Sequence, residues 1–333
     1  MDKLDLLKSA HQAARDGHIC RLEEFIKEDA DLINFRSVDE DTLLGLTCRS
    51  ATGEIAIPPV EGTKEQHRAI DLLLRVGADV NAANRDGWTP LHTAAMAGHI
   101  DLTKRLLGAG ADKTGSLYGC NGGSPLALAL FYAKTEVGKL LAQPAIPNNL
   151  RHAASLGCDL SSFFSNDELT PMAFEGLDFY RPLLIFPKWN RTFSRQEVLD
   201  EALTWAARNG QCQNMSVLVQ RGATVNSNPY RGTPLLWSIY SEDINAANWL
   251  LDNGADPNLR HDFGGENHGT GAVALHLAAQ HDSVACVKLL LSRGADPYIV
   301  DGAHGGDALG WAEYSNATQT IRVLKEYMAD TKT

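Results

Sequence analysis

Apolar residues in this chain arrive in short bursts with helical spacing, separated by glycine-marked turns. The clearest burst spans Asp86–Asp112, DGWTPLHTAAMAGHIDLTKRLLGAGAD. Thr89 offers a capping hydroxyl, and Pro90 follows at the first helical position, where a missing N–H costs nothing. Leu91, Ala94 and Ala95 then predict a short helix with one apolar side and small residues for close packing. Gly98 ends it. Leu102, Leu106 and Leu107 predict a second helix, closed at Gly110, a position suited to left-handed backbone. Such a helix–turn–helix cannot bury its apolar face alone, so it must stack on copies of itself.

Copies are present. A closing Gly-Ala pair recurs at Gly77, Gly110, Gly222, Gly254 and Gly294, with intervals of 33 residues from Gly77 to Gly110 and 32 from Gly222 to Gly254. This period, with the words T-P-L-H and G-A-D-x-N in register, resembles the ankyrin repeat. The resemblance covers most of the chain outside 51–64 and 165–196. It implies an all-α solenoid of about nine helix–turn–helix units, elongated and monomeric, with strand confined to short turn pairings. Residues 1–164 would hold about five repeats, the last degenerate. Residues 165–196 would be a non-repeat insertion, and 197–333 would hold about four more.

The first unit, Leu6 to Asn34, lacks its leading turn, as a terminal repeat does. The second, about Arg36 to Asn81, carries a loop near Ala51–Lys64 rich in Gly and Pro. The fourth runs from Gly122 through Leu141, and a degenerate fifth follows at Leu150-Arg151-His152-Ala153-Ala154. Next comes SNDELTPMAFEGLDFYRPLLIFPKWNRTFSRQ, which matches no unit. Its Phe179, Tyr180, Phe186 and Trp189 are too aromatic for a solvated linker and are expected to pack. The repeat resumes at Leu199. In the eighth unit the leading turn is enlarged between His261 and Gly269, which explains an interval of 40 between Gly254 and Gly294.

In the ankyrin family the leading turns and first helices line a concave face where partners usually bind. Two places after the Leu of T-P-L stand Leu46, Thr93, Leu128, His152, Trp205, Trp237, Leu277 and Trp311. Five places after it stand Arg49, Met96, Phe131, Ser155, Arg208, Tyr240, Gln280 and Tyr314. Three tryptophans share one position, all beyond the insertion. They either fill gaps between successive first helices or wall a groove, since Trp, Tyr and Arg dominate binding hot spots. In the second reading Arg208, Trp237, Tyr240, Trp311 and Tyr314 form a floor. Tyr230, Arg231, His261, Asp262, His268 and His304 form its rim.

Composition narrows the function. A net charge of −11 lacks the basic face that a nucleic-acid binder needs. Cys20, Cys48, Cys120, Cys158, Cys212 and Cys286 are scattered without a C-x-x-C, which fits reduced thiols in a cytoplasmic protein. No apolar run reaches membrane-spanning length, and the N-terminus carries no secretory signal. His261, Asp262, Glu266, His268 and His304 tempt one toward metal or acid–base chemistry, but their spacing matches no metal motif. His92 and His276 occupy the T-P-L-H position, where the family's imidazole ties turns together. No catalytic, cofactor or metal site is expected. The primary expectation is thus a non-catalytic scaffold that binds a protein or peptide on its concave face. The alternative is a small-molecule binder or enzyme with a C-terminal pocket roofed by 165–196, because long loops of this kind commonly serve as lids.

Overall fold

Seventeen α-helices occur among the residues that the computed structural model describes, which are 3–36, 41–52, 62–115, 123–143, 149–166, 168–175, 192–229, 232–262 and 269–330. The described residues form two compact units, one up to Gln143 and the other from Asn149 onward. Each is an all-α solenoid of helix pairs. In the first unit α1 (Lys3–Asp16) pairs with α2 (Ile19–Glu28), α3 (Leu43–Thr52) with α4 (Lys64–Arg75), α5 (Pro90–Ala97) with α6 (Ile100–Gly108), and α7 (Pro125–Phe131) with α8 (Thr135–Ala142). The second opens with a lone α9 (Leu150–Ser155) and a 3₁₀ turn, Ser161–Phe163. Then come α10 (Arg195–Arg208) with α11 (Cys212–Gln220), α12 (Pro234–Tyr240) with α13 (Ile244–Asp252), α14 (Ala274–Gln280) with α15 (Val284–Ser292), and α16 (Ala308–Tyr314) with α17 (Thr318–Asp330).

Local chemistry sets each helix start. Thr89 Oγ1 accepts from His92 N while His92 Nδ1 accepts from Thr89 N, so two amides without helical partners are satisfied reciprocally. Ser124 and Thr233 cap α7 and α12, each with proline next. At the turn inside a pair the backbone goes left-handed. Gly210 has φ +70°, and a Cβ there would stand 2.1 Å from Asp243 Oδ2, the side chain that caps α13. Glycine is required at that spot for space as well as for backbone freedom.

First helices stack on first helices and second on second. α3 sits between α1 and α5, with α7 beyond; α10 sits between α9 and α12, followed by α14 and α16. The core lies between the layers. Leu22, Leu44, Ile70, Leu91 and Leu106 fill it in the first unit, and Leu199, Leu218, Leu236, Leu250, Leu275 and Leu290 in the second.

A ladder of asparagines stitches successive pairs. Asn34 Oδ1 accepts from Asp79 N and its amide donates to Gly77 O. Asn81 does the same to Asp112 and Gly110, Asn226 to Asp256 and Gly254, and Asn258 to Asp296 and Gly294. This explains the G-A-D-x-N word: its Asn grips the Gly-Ala-Asp turn one repeat later.

Among the described residues no asparagine grips the Gly222 turn, and α10 supplies the rung itself. Its helix starts at Arg195, capped by Ser194, so it begins inside the stretch expected to be insertion. Gln196 Nε2 donates to Gly222 O at 2.9 Å, and Asp200 Oδ1 accepts from Thr224 N at 2.7 Å. Two side chains of one helix do the work of a missing asparagine.

The structural division and the repeat division differ. α9 packs on α10, and Leu150, Ala153, Ala154, Phe163 and Ala173 share the second unit's core. Residues 150–164, read in sequence as the last N-terminal repeat, therefore belong with the second unit. The described start of the insertion joins them: strands β1 (Phe164–Ser165) and β2 (Glu168–Leu169) pair antiparallel, and Met172 and Phe174 lie against the core. Phe179, Tyr180, Phe186 and Trp189 lie outside the described residues. The enlarged turn of the eighth repeat is a second antiparallel pair, β3 (His261–Asp262) with β4 (Thr270–Ala272), pinned to the next turn by Gly302 N donating to Thr270 O.

Candidate functional site

The first helices of the second unit carry a chain of rings and guanidinium groups. His152 lies 5.5 Å from Trp205, ring to ring. Arg208 has its guanidinium 5.8 Å from the Trp205 centroid and only 3.3 Å from that of Trp237. Trp237 meets Tyr240 edge to face at 5.3 Å, and Tyr240 meets His281 at 5.9 Å. The chain thus crosses from α9 through α10 and α12 to the turn after α14. Helix register places these side chains together, because positions two and five after the repeat Leu share one helical face.

Most of the expected floor is filled. Trp237 is 4% exposed and Arg208 2%, and Trp205 and Trp311 are buried too. The packing reading of the tryptophans describes where they stand: they fill space between successive first helices. Tyr240, between Trp237 and His281, is half-buried. Tyr314 is 87% exposed.

Beneath the rings lies charge. Arg151 and Glu201 form a salt bridge between α9 and α10, both almost fully buried, and the Arg151 guanidinium also sits 4.5 Å over Trp205. Reading the sequence did not single this pair out, although opposite charges at core-facing places of adjacent first helices were its only trace. Burying two ions is unfavourable unless they are well paired, and losing one partner then costs several kcal/mol. Burial, with the Arg151 charge beside it, holds His152 well below the usual histidine pKa. The imidazole is neutral near pH 7, and its Nε2 is buried without a hydrogen-bond partner.

The leading turn before α16 is locked by Asp301. Its carboxylate accepts from the amides of Ala303, His304 and Gly306 and from Trp311 Nε1 at 2.9 Å. Burial alone would raise its pKa, but those donors outweigh burial and hold it at about 2. His276 Nε2 bonds Gly306 O, and His92 Nε2 bonds Gly115 O. Both imidazoles tie turns as the resemblance implies, and burial keeps the His92 pKa at about 4.

The expected rim is divided. His261 is 3% exposed, and burial together with nearby His276 lowers its pKa to about 3. It faces the interior of the repeat, so it offers no side chain at an open rim. His304 is exposed. Tyr230, Arg231 and His268 lie outside the described residues, as does the side chain of Asp262. Among the described residues no three His, Cys, Asp or Glu side chains are grouped to hold a metal ion, and no helix is long and apolar enough to cross a membrane.

Comparison with known proteins agrees with this architecture. A family model for ankyrin repeats in three copies matches residues 60–152 and 182–261, and a single ankyrin-repeat model matches 270–302. The chain belongs to the ankyrin-repeat family, whose repeats are generally protein–protein interaction modules. It is 34% identical over 116 residues to a putative ankyrin repeat-containing protein of Treponema pallidum (strain Nichols), covering 34% of this chain and 36% of that one. It is 29% identical over 233 residues to the ankyrin repeat and KH domain-containing protein mask-1 of Caenorhabditis elegans, covering 68% of this chain and 8% of that protein. A Notch-regulated ankyrin repeat-containing protein of Homo sapiens is 50% identical over 38 residues, 11% of this chain and 33% of that one. In each case the match spans little more than a third of the relative, or less.

Proposed function

We propose that this chain is a non-catalytic, cytoplasmic interaction protein that binds a protein or peptide along the first-helix face of its second unit. One observation carries the reading. The ring and guanidinium chain through Trp205, Arg208 and Trp237 reaches half-buried Tyr240 before it closes on His281, and two pairs further on Tyr314 stands almost wholly in solvent. The buried members act as a rigid footing, and the two tyrosines supply the contact area. Tyrosine suits this role because it brings large area at low conformational cost.

Capture of a protein partner from native lysate, quantified by mass spectrometry, tests the proposal. Tyr240→Ala should weaken capture roughly thirtyfold, equivalent to about 2 kcal/mol for a central aromatic anchor, with little change in melting temperature. Ile100→Ala, at an exposed position of the first unit, should leave capture intact. Unfolding by Tyr240→Ala would mean that this ring is core, and the face would lose its anchor.

A further inference from the structure

On the first helices of this face and the turns that directly follow them, the charges have one sign. α12, α14, α16 and the turns that follow them (241–243, 281–283 and 315–317) carry Glu242, Asp243, Asp282 and Glu313, and neither lysine nor arginine. The same repeats place Lys288, Arg322 and Lys325 on second helices and Arg293 at the C-cap of α15, and Arg260, in the leading turn before α14, donates to Gly271 O and Val300 O. Two of the four carboxylates have structural duties. Asp243 caps α13 through Ala246 N, and Asp282 accepts from Gln319 N and Thr320 N at the start of α17.

Glu242 and Glu313 are different. Both are exposed. Glu242 accepts a long 3.3 Å bond from Ser283 Oγ, and Glu313 pairs with Lys325 at 3.0 Å where both side chains are more than half in water. A pair so exposed contributes little and exchanges readily. Each glutamate also has a tyrosine close by in the chain: Tyr240 lies two residues before Glu242, and Tyr314 directly follows Glu313. At 87% exposure Tyr314 leaves a large aromatic surface in water at the end of α16. A carboxylate next to an open tyrosine ring suits a lysine or arginine side chain: the stem lies on the ring and the charge meets the oxygen.

Spacing adds a second constraint. α12 and α16 are separated by α14, hence by two interhelical steps of about 8–10 Å each. An extended chain crosses that distance in about five or six residues. We propose that the occupant of this face is an extended basic peptide segment, with one Lys or Arg against Tyr240 and Glu242 and a second, about five or six residues away, against Tyr314 and Glu313. The inference rests on the functional reading above and specifies the chemistry of its partner. The chain's net charge of −11 would steer such a segment inward at low salt.

Panning a random twelve-residue peptide display library on the full chain, followed by fluorescence anisotropy of the enriched peptides, tests this. The expected outcome is enrichment of sequences with two basic residues at that spacing, and binding that weakens as salt rises. The double variant Glu242→Lys, Glu313→Lys should lose at least tenfold in affinity, while Glu242→Asp, Glu313→Asp keeps most of it. Circular dichroism establishes that each variant is folded; should the lysine variant unfold, Glu242→Gln with Glu313→Gln replaces it, with a loss of severalfold expected. Enriched peptides that are acidic or neutral, yet lost on Tyr240→Ala, would overturn the charge assignment and leave the binding face standing. Peptides insensitive to both Tyr240→Ala and Tyr314→Ala, or no enrichment at all, would overturn the binding face and this inference with it.

Discussion

The two units share a repeat and differ in what they do with its fifth position after the Leu. In the first unit that position holds Arg49, Met96 and Phe131. Arg49 there is partly exposed and paired with Asp41 at 2.9 Å. In the second unit the equivalent Arg208 is buried against Trp237, and the neighbouring first helix brings in a second buried arginine, Arg151, with Glu201. Asparagine rungs run through both units, with Gln196 and Asp200 standing in at the second unit's first rung. Backbone stacking is set by capping and turn chemistry, whereas the first-helix face is free to vary. In one unit it became a seam of Leu46, Met96, Leu128 and Phe131 with a partly buried ion pair. In the other it became a buried layer of rings and ions, with Tyr240 half-buried and Tyr314 open.

The strongest way to break that contrast is to remove one buried ion. Glu201→Gln leaves Arg151 without its counter-charge and should destabilise the second unit by about 3–5 kcal/mol. Urea unfolding followed by probes in each unit should show the second transition moving while the first stays in place. Equal movement of both would mean that the units do not unfold separately.

Acid should separate the units next. His152, His261, His276 and His281 in the second unit, and His11 and His92 in the first, have pKa values lowered chiefly by burial. The unfolded chain takes up these protons first, near pH 6.5, so stability falls as pH drops from there toward the folded values, about 4 for His11 and His92. A histidine that stays neutral when folded forfeits about 1 kcal/mol between pH 7 and 5.5. The second unit, with four such imidazoles among its described residues against two in the first, should therefore lose more stability than the first over that range. Asp200 acts in the opposite sense, because burial raises its pKa, but only nearer the carboxylate range. A steeper loss in the first unit would contradict the burial of these imidazoles.

The smallest effect sharpens the likeness between the units. Asn81→Ala removes two hydrogen bonds of the first unit's ladder and should cost about 1–2 kcal/mol. Gln196→Ala removes the substitute rung to Gly222 and should cost about 1 kcal/mol in the second unit. Hydrogen exchange at the amides of Asp112 and Thr224 reads each loss locally. No change at Thr224 would mean that Asp200 alone holds that turn.

Residue order alone determined the repeat, its register and its turns. Thr89-Pro90, Gly98 and the Gly-Ala-Asp words act through neighbours a few residues away, so their meaning is written locally. The structural duties of His92 and His276 were legible for the same reason. Register also placed Trp205, Arg208, Trp237 and Tyr240 on one face, but it did not say how deep each would sit. Depth depends on what the adjacent repeat brings against a side chain, and that is how Trp237 became footing, His261 became interior and Tyr314 stayed open. Only the tertiary structure paired Arg151 with Glu201 across 50 residues, because two charges can offset each other's desolvation only once the fold has brought them into contact. It alone also let Gln196 and Asp200 replace an absent asparagine: hydrogen bonding selects for donors and acceptors in the right place, and helix α10 reached that place by a route that no repeat pattern encodes.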